Sequence, residues 1–273
     1  RERVMKKRLL PARLWAALVL SLAPAPLAPA APDQEQAAEA LAALDIMVGD
    51  ENGNLNLGNT VTRAEFAKLA VSASTARDGV GDAVSVKPYP DVPQNHWAAP
   101  YIKAAVDLGL VEGDLQGYFT PQRSITLAEG VTIVLRLLGY TDSDFTGVWP
   151  AGQMAQYRAL GLDAGVSAGQ NSAMTRADAM YLFYNLLTTK TKQGSYYLNT
   201  LEPTLNLVSA DGELDRVALV NSAMDGPVVA NAAWQGQIPF DVTAANVSVT
   251  RNGAPSTADA LQPLAVTFAW IAV

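Results

Sequence analysis

The sequence predicts an α+β chain: an N-terminal all-α bundle made of three copies of one helical unit, followed by a small antiparallel β domain. Three observations carry that expectation. Thr62-Arg63-Ala64-Glu65, Thr126-Leu127-Ala128-Glu129 and Thr175-Arg176-Ala177-Asp178 each place an acid three residues after a Thr, the pattern of a helix-starting capping box. An apolar residue precedes each box (Val61, Ile125, Met174), and apolar positions recur behind it at helical spacing: Phe66, Leu69 and Ala73; Val131, Val134, Leu135 and Leu138; Met180, Phe183 and Leu187. Beyond residue 193 the pattern changes to short β-prone runs separated by turn signals.

The repetition extends upstream. Ile46-Met47-Val48-Gly49-Asp50 and Leu110-Val111-Glu112-Gly113-Asp114 each place a Gly 13 positions before the capping Thr, and Gly161-Leu162-Asp163-Ala164-Gly165 is a weaker third version with a loop three residues shorter. A further helical run precedes each Gly, over residues 34–45, 95–108 and 151–160. The unit is therefore helix, Gly turn, capped helix. A single unit cannot bury its apolar stripes, so the three are expected to pack on one another.

Residues 1–30 read differently. Six basic residues and one acid, an apolar stretch from Leu14 to Leu22 and the small-residue exit Ala28-Pro29-Ala30 form a secretory signal peptide, with cleavage expected after Ala30 and Met5 as the start. The apolar stretch is shorter than the ~20 residues a spanning helix needs, and no later stretch reaches that length, so no membrane span is expected after cleavage. The formal net charge is −7, and without residues 1–30 it is −12, from 13 basic and 25 acidic residues. Such a balance argues against nucleic acid as a partner. The absence of Cys excludes disulfides, thiolate metal sites and cysteine nucleophiles.

The three units resemble the S-layer homology domain, a module of roughly 50–60 residues usually present in three copies. The second copy is the fullest match: Tyr89-Pro90-Asp91-Val92, Asn95-His96-Trp97-Ala98, Ile102, Gly109-Leu110-Val111-Glu112-Gly113, Phe119-Thr120-Pro121 and Ile125-Thr126. The first copy lacks the leading Asp-Val and Trp elements, and the third keeps Trp149 with a shortened loop. The boundaries read as signal peptide 1–30, first repeat 31–77, linker 78–87, second repeat 88–141, third repeat 142–193 and β domain 194–273. The resemblance implies a pseudo-threefold bundle with ligand grooves between neighbouring copies. It also implies attachment to the Gram-positive cell surface through secondary cell-wall polysaccharide, often bearing pyruvate ketals.

The same resemblance points to Arg63 and Arg176 as residues that face the anionic sugar. The chemistry suits them, because a ketal carboxylate matches the planar, permanently charged guanidinium fork, and a helix start adds N–H donors and a positive dipole end. Leu127 occupies the equivalent place in the second copy, so three equal sites are not expected; Arg123 nearby is a candidate substitute. Asp91, Trp97 and Trp149 are further candidates for lining a sugar groove, since aromatic faces stack on apolar sugar faces. For each Trp a core position is the open alternative, and His96 reads as a cap or surface residue.

No catalytic residue, metal site or cofactor is expected. Asp50-Glu51-Asn52-Gly53-Asn54 begins like a calcium loop, but its Gly is misplaced and Val61 stands where a bidentate Glu belongs. With one His and no Cys, nucleophile–base pairs have little material, and the pair Asp142 and Asp144 reads as solvated acids. In the tail, 205–208, 216–220, 228–230, 238–240 and 246–250 are expected strands. The stretch from Val249 to Pro263 resembles a segment found after S-layer repeats in clostridial surface proteins. Thr267 to Val273 reads as an edge strand at a possible truncation. The expected function is non-covalent anchoring of an exported, cell-surface protein, not an enzyme. The alternatives are a surface hydrolase carrying this anchor, or a self-associating S-layer subunit.

Overall fold

The computed structural model describes residues 31–50 and 53–223, together with the backbone of four short strands between 225 and 269. The signal peptide expected over 1–30 and the strand at 238–240 lie outside the described residues. Six helices form the three units: α1 (Gln34–Ala43) with α2 (Arg63–Ser72), α3 (Ala99–Asp107) with α4 (Leu127–Leu137), and α5 (Ala151–Ala159) with α6 (Arg176–Leu187). The second helix of each unit starts where the capping boxes say it should. Thr62, Thr126 and Thr175 each accept the backbone N–H three residues on, and Glu65, Glu129 and Asp178 accept from the Thr backbone in return.

What joins the units is a closed ring of backbone hydrogen bonds. The N–H of Val61 donates to Met174, that of Met174 to Ile125, and that of Ile125 back to Val61, at 2.9, 3.0 and 2.9 Å. Just beyond the ring, the first two N–H groups of each capped helix reach into the loop of the next unit. Arg63 and Ala64 donate to Arg123 and Pro121, Leu127 and Ala128 to Ser172 and Gln170, and Arg176 and Ala177 to Asn59 and Leu57. Donors that a helix start normally leaves without an intrahelical partner thus become inter-unit links. Outside this centre, the first helix of each unit packs on the capped helix of the one before it in the ring: α3 on α2, α5 on α4, and α1 on α6. The pseudo-threefold arrangement is complete in the described residues.

The core follows the same logic. Phe66 and Phe183 meet at 5.2 Å between ring centroids, and both are fully buried. Gly130 stands where α4 passes them: a Cβ there would lie 2.7 Å from Met174 Sδ and 3.0 Å from the Phe66 ring. Its missing side chain makes room for two large ones from the other units. The repeated Gly of the loops has a similar cause, since a Cβ on Gly113 would lie 2.5 Å from the Tyr89 ring and one on Gly49 2.6 Å from the Gly53 backbone.

The second half of the sequence-predicted fold class is not what the structure contains. Residues 194–223 carry two short helices packed on the bundle: α7 (Tyr197–Leu201) lies against α6, and α8 (Arg216–Ser222) against α1. Tyr197, buried, donates its hydroxyl to the Ala73 carbonyl at 2.6 Å, and Arg77 pairs with Glu202. Arg216 to Val220, expected as a strand, is the body of α8. Asp215 caps it by accepting the Ala218 N–H, and Leu219 and Val220 are buried together while Val217 is exposed, a helical face rather than an alternation. Four apolar residues in a row, Val217 to Val220, carry too little periodicity to separate the two states. Leu205 to Val208 contributes one isolated bridge, Val208 with Leu214. Further on, β1 (Asp225–Val229) pairs with β4 (Val266–Ala269) and β2 (Val249–Arg251) with β3 (Ala254–Ser256), as separate antiparallel ladders. Among the described residues these ladders share no strand, so the small antiparallel β domain expected over 194–273 is not seen. The described chain is helical, with eight α-helices.

Candidate functional site

Two grooves open between the units, and they are related by the pseudo-threefold rotation. The first, of about 370 Å³, takes Arg176 from the third unit, Val48, Asn56, Glu65 and Lys68 from the first, and Trp97 from the second. The second, of about 110 Å³, takes Arg63 from the first unit, Glu112, Glu129, Thr132 and Arg136 from the second, and Trp149 from the third. Equivalent positions in the first two units lie 64 residues apart, so Glu65, Lys68 and Leu69 correspond to Glu129, Thr132 and Ile133. Each groove therefore needs all three copies.

The fold places the two arginines identically. Arg176 donates from Nε to the Leu55 carbonyl (2.7 Å) and from Nη2 to that of Val48 (3.2 Å). Arg63 donates from Nε to Phe119 (2.8 Å) and from Nη2 to Glu112 (2.9 Å), the matching carbonyls one unit on. Both side chains thus clamp the neighbouring loop while lining a groove. Their settings differ beyond that. Arg63 lies over the Phe119 ring at 4.6 Å and pairs with Glu129 at 3.5 Å, and burial pulls its guanidinium below its usual range. Arg176 has no ion-pair partner among the described residues.

Neither tryptophan sits in the core, and each lines one of the two grooves. Trp97 is 52% exposed and Trp149 51%, so neither is a core anchor. Each stands two residues before its unit's first helix, and each walls the groove of the unit before it. Trp149 donates its indole N–H to Thr132 at 3.1 Å, spanning the second groove. Trp97 stacks on His96 at 5.7 Å, and His96 in turn accepts the Ala98 N–H through Nδ1.

Asp91 lines neither groove. Its two carboxylate oxygens accept the Phe119 and Thr120 N–H groups at 2.9 and 2.7 Å, fixing the loop on which Arg63 rests. Leu127 is buried at the third inter-unit boundary and brings an aliphatic side chain where the other two boundaries have an arginine. Arg123 does not replace the missing arginine there: it is bound to Glu129 at 2.5 Å, beside Arg63. The helix-start donors expected to assist an anion are spent on the inter-unit carbonyls. Asp142 and Asp144 pair with Arg136 (3.2 Å) and Lys192 (2.6 Å). Asp50 forms a polar turn, accepting from Asn54 and Asn56.

Lys68, Glu129 and Arg136 are groove residues that sequence reasoning missed. The signal was present, since Lys68 follows the capping acid Glu65 by three positions and so shares its helix face. Lys68 lies 5.9 Å from the Tyr101 ring and has no acidic partner among the described residues. Burial alone would raise the Glu129 carboxyl, but the hydrogen bond from Arg123 and those from Thr126 outweigh it and hold the group below its usual value. Chemically, the first groove offers two cations beside the carboxylates of Asp50 and Glu65, polar loop atoms and an exposed aromatic face. That set fits a carboxylate carried on a partly apolar ring.

Comparison with known proteins bears on the units rather than on the grooves. The family model for the S-layer homology domain matches residues 29–67 and 88–129. A middle cell wall protein of Brevibacillus brevis is 34% identical over 155 residues, covering 57% of this chain and 14% of that protein. A surface layer protein of Brevibacillus choshinensis is 31% identical over 217 residues, covering 75% of this chain and 19% of that protein. A Bacillus anthracis protein named as an uncharacterized cell wall amidase is 28% identical over 144 residues, covering 48% of this chain and 26% of that protein. The chain thus spans less than a third of the length of each of these relatives.

Proposed function

We propose, for a chain that carries S-layer homology domains, that the ring of three units holds the protein to the cell wall by binding secondary cell-wall polysaccharide in its inter-unit grooves. The family match and the names of the relatives indicate a secreted, cell-surface protein. The observation that carries the binding reading is the repetition of one composite site, an Arg clamped at the boundary of two units facing a half-exposed Trp from the remaining one. With a net charge of −12 after residue 30, bulk attraction cannot draw in an anionic polymer, so affinity rests on these local contacts. A pyruvate ketal presents the carboxylate that Arg176 and Lys68 select.

The test is sedimentation with purified cell walls. The chain pellets with intact walls and stays in solution once pyruvate has been removed from them. Pelleting that survives pyruvate removal would overturn the ketal assignment. A second reading keeps the same anchor on a longer surface hydrolase, and it rests on the relative named as a cell wall amidase. Release of peptide or sugar fragments from walls by this chain would favour it; the anchoring reading expects none.

A further inference from the structure

The two grooves share a plan, and each lining carries two cations and two carboxylates, but the charges are paired differently, position by position. In the second groove every arginine is already answered. Arg63 and Arg123 both pair with Glu129 (3.5 and 2.5 Å), and Arg136 pairs with Glu112 and Asp142 (3.1 and 3.2 Å). The ring rotation explains why the first groove lacks this network. Arg123 corresponds to Asn59 in the first unit and Arg136 to Ser72, so Glu65 caps Thr62 with no arginine drawn onto it. Arg176 and Lys68 are consequently the two cations of the first groove that form no ion pair among the described residues.

The mouths differ in the same sense. Where the second groove has Thr132, the first has Lys68. Thr132 accepts the Trp149 indole N–H, so the aromatic wall is tied to the opposite helix, and the groove has about 110 Å³. Lys68 offers no acceptor to an indole, and the first groove has about 370 Å³, within the range usual for a small-ligand site. An incoming carboxylate would have to displace Glu129 from two guanidinium groups in the second groove. In the first, the lining carboxylates Asp50 and Glu65 accept from Asn54, Asn56 and Thr62, and no ion pair among the described residues has to be broken.

Resting on the polysaccharide reading above, we infer that the ring is a one-site binder: a saccharide carboxylate is taken by Arg176, Lys68 and Trp97, while the Arg63 groove is held closed by Glu129 and by the Trp149–Thr132 hydrogen bond. Lys68 is the residue that distinguishes the two. At the third boundary Leu127 stands in the place of Arg63 and Arg176 and offers no guanidinium.

Calorimetric titration of the full chain with a methyl glycoside bearing a pyruvate ketal reads this directly. The expected stoichiometry is one. Lys68→Ala weakens binding about tenfold or more, the scale of one lost charge-assisted hydrogen bond, and Trp97→Ala weakens it as well. Leu115→Ala, at an exposed residue that lines neither groove, leaves affinity unchanged. Neither Lys68 nor Trp97 clamps a loop, and a circular dichroism melt of each variant separates lost binding from lost folding. A stoichiometry of two, or loss of binding in folded Trp149→Ala with retention in Lys68→Ala, overturns the one-site inference while leaving the polysaccharide reading intact. Absence of heat with the unaltered chain, together with wall sedimentation that does not depend on pyruvate, overturns both.

Discussion

Asp178 shows what a single carboxylate does in this molecule. It is 2% exposed, and its Oδ1 accepts the Ser167 N–H, the Ser167 hydroxyl and the Ala168 N–H, while Oδ2 accepts the Thr175 N–H and hydroxyl. Burial alone would raise this carboxyl; the bonds from Thr175 and Ser167 outweigh it and lower it below its ordinary value. A carboxylate with a depressed folded pKa contributes stability that is fully present above its unfolded value near ~4, and that stability is lost as pH falls through the lower folded value. Asp178→Asn therefore destabilises the chain by about 1–3 kcal/mol at neutral pH, because an amide faces donors with its own NH₂. In urea titrations the variant also shows a shallower loss of stability below pH ~4 than the parent. Thr175 and Asp178 as a cap could be read from their spacing. That Ser167 and Ala168 would converge on the same oxygens could not, because the loop's path is set by packing.

At the level of elements, α4 carries a residue that local propensity alone would reject. Gly inside a helix costs roughly 1 kcal/mol relative to Ala, yet Gly130 is where Phe66 and Met174 arrive from the other two units. Gly130→Ala is accordingly expected to lower stability by about 1–3 kcal/mol through overpacking, despite its better helix propensity. Adding Phe66→Leu, which removes the nearest ring, should recover part of the loss relative to Gly130→Ala alone. Equal or higher stability in the single variant, measured by chemical denaturation, would show the space to be adaptable. Helix starts were legible from the boxes, and all three formed as expected. The strand expectation at 216–220 failed, because α8 gains its helical state from burying Leu219 and Val220 on the bundle, which a five-residue pattern does not encode.

For the whole molecule, the chain past residue 193 belongs to the helical body as far as residue 223. Tyr197, Leu198, Leu201, Leu207, Val208 and Leu219 join the same buried core as the three units. Truncation after residue 193 should therefore lower the melting temperature by several degrees relative to truncation after residue 223. An unchanged melting temperature would show the segment to be independent of the ring. From its residues alone the sequence determined the three capped helices, their Gly turns, and the residue types that an anionic sugar would meet, because each depends on contacts within a few positions. Tertiary structure decided the rest. It closed the backbone ring, spent the helix-start donors on neighbouring loops, brought each Trp opposite an Arg from a different unit, and left the cations of only one groove without ion pairs. The physical reason is that hydrogen-bond and charge compensation is settled between groups such as Arg176 and Val48, or Arg63 and Glu129, that lie 66 to 128 residues apart in the chain and meet only when the ring closes.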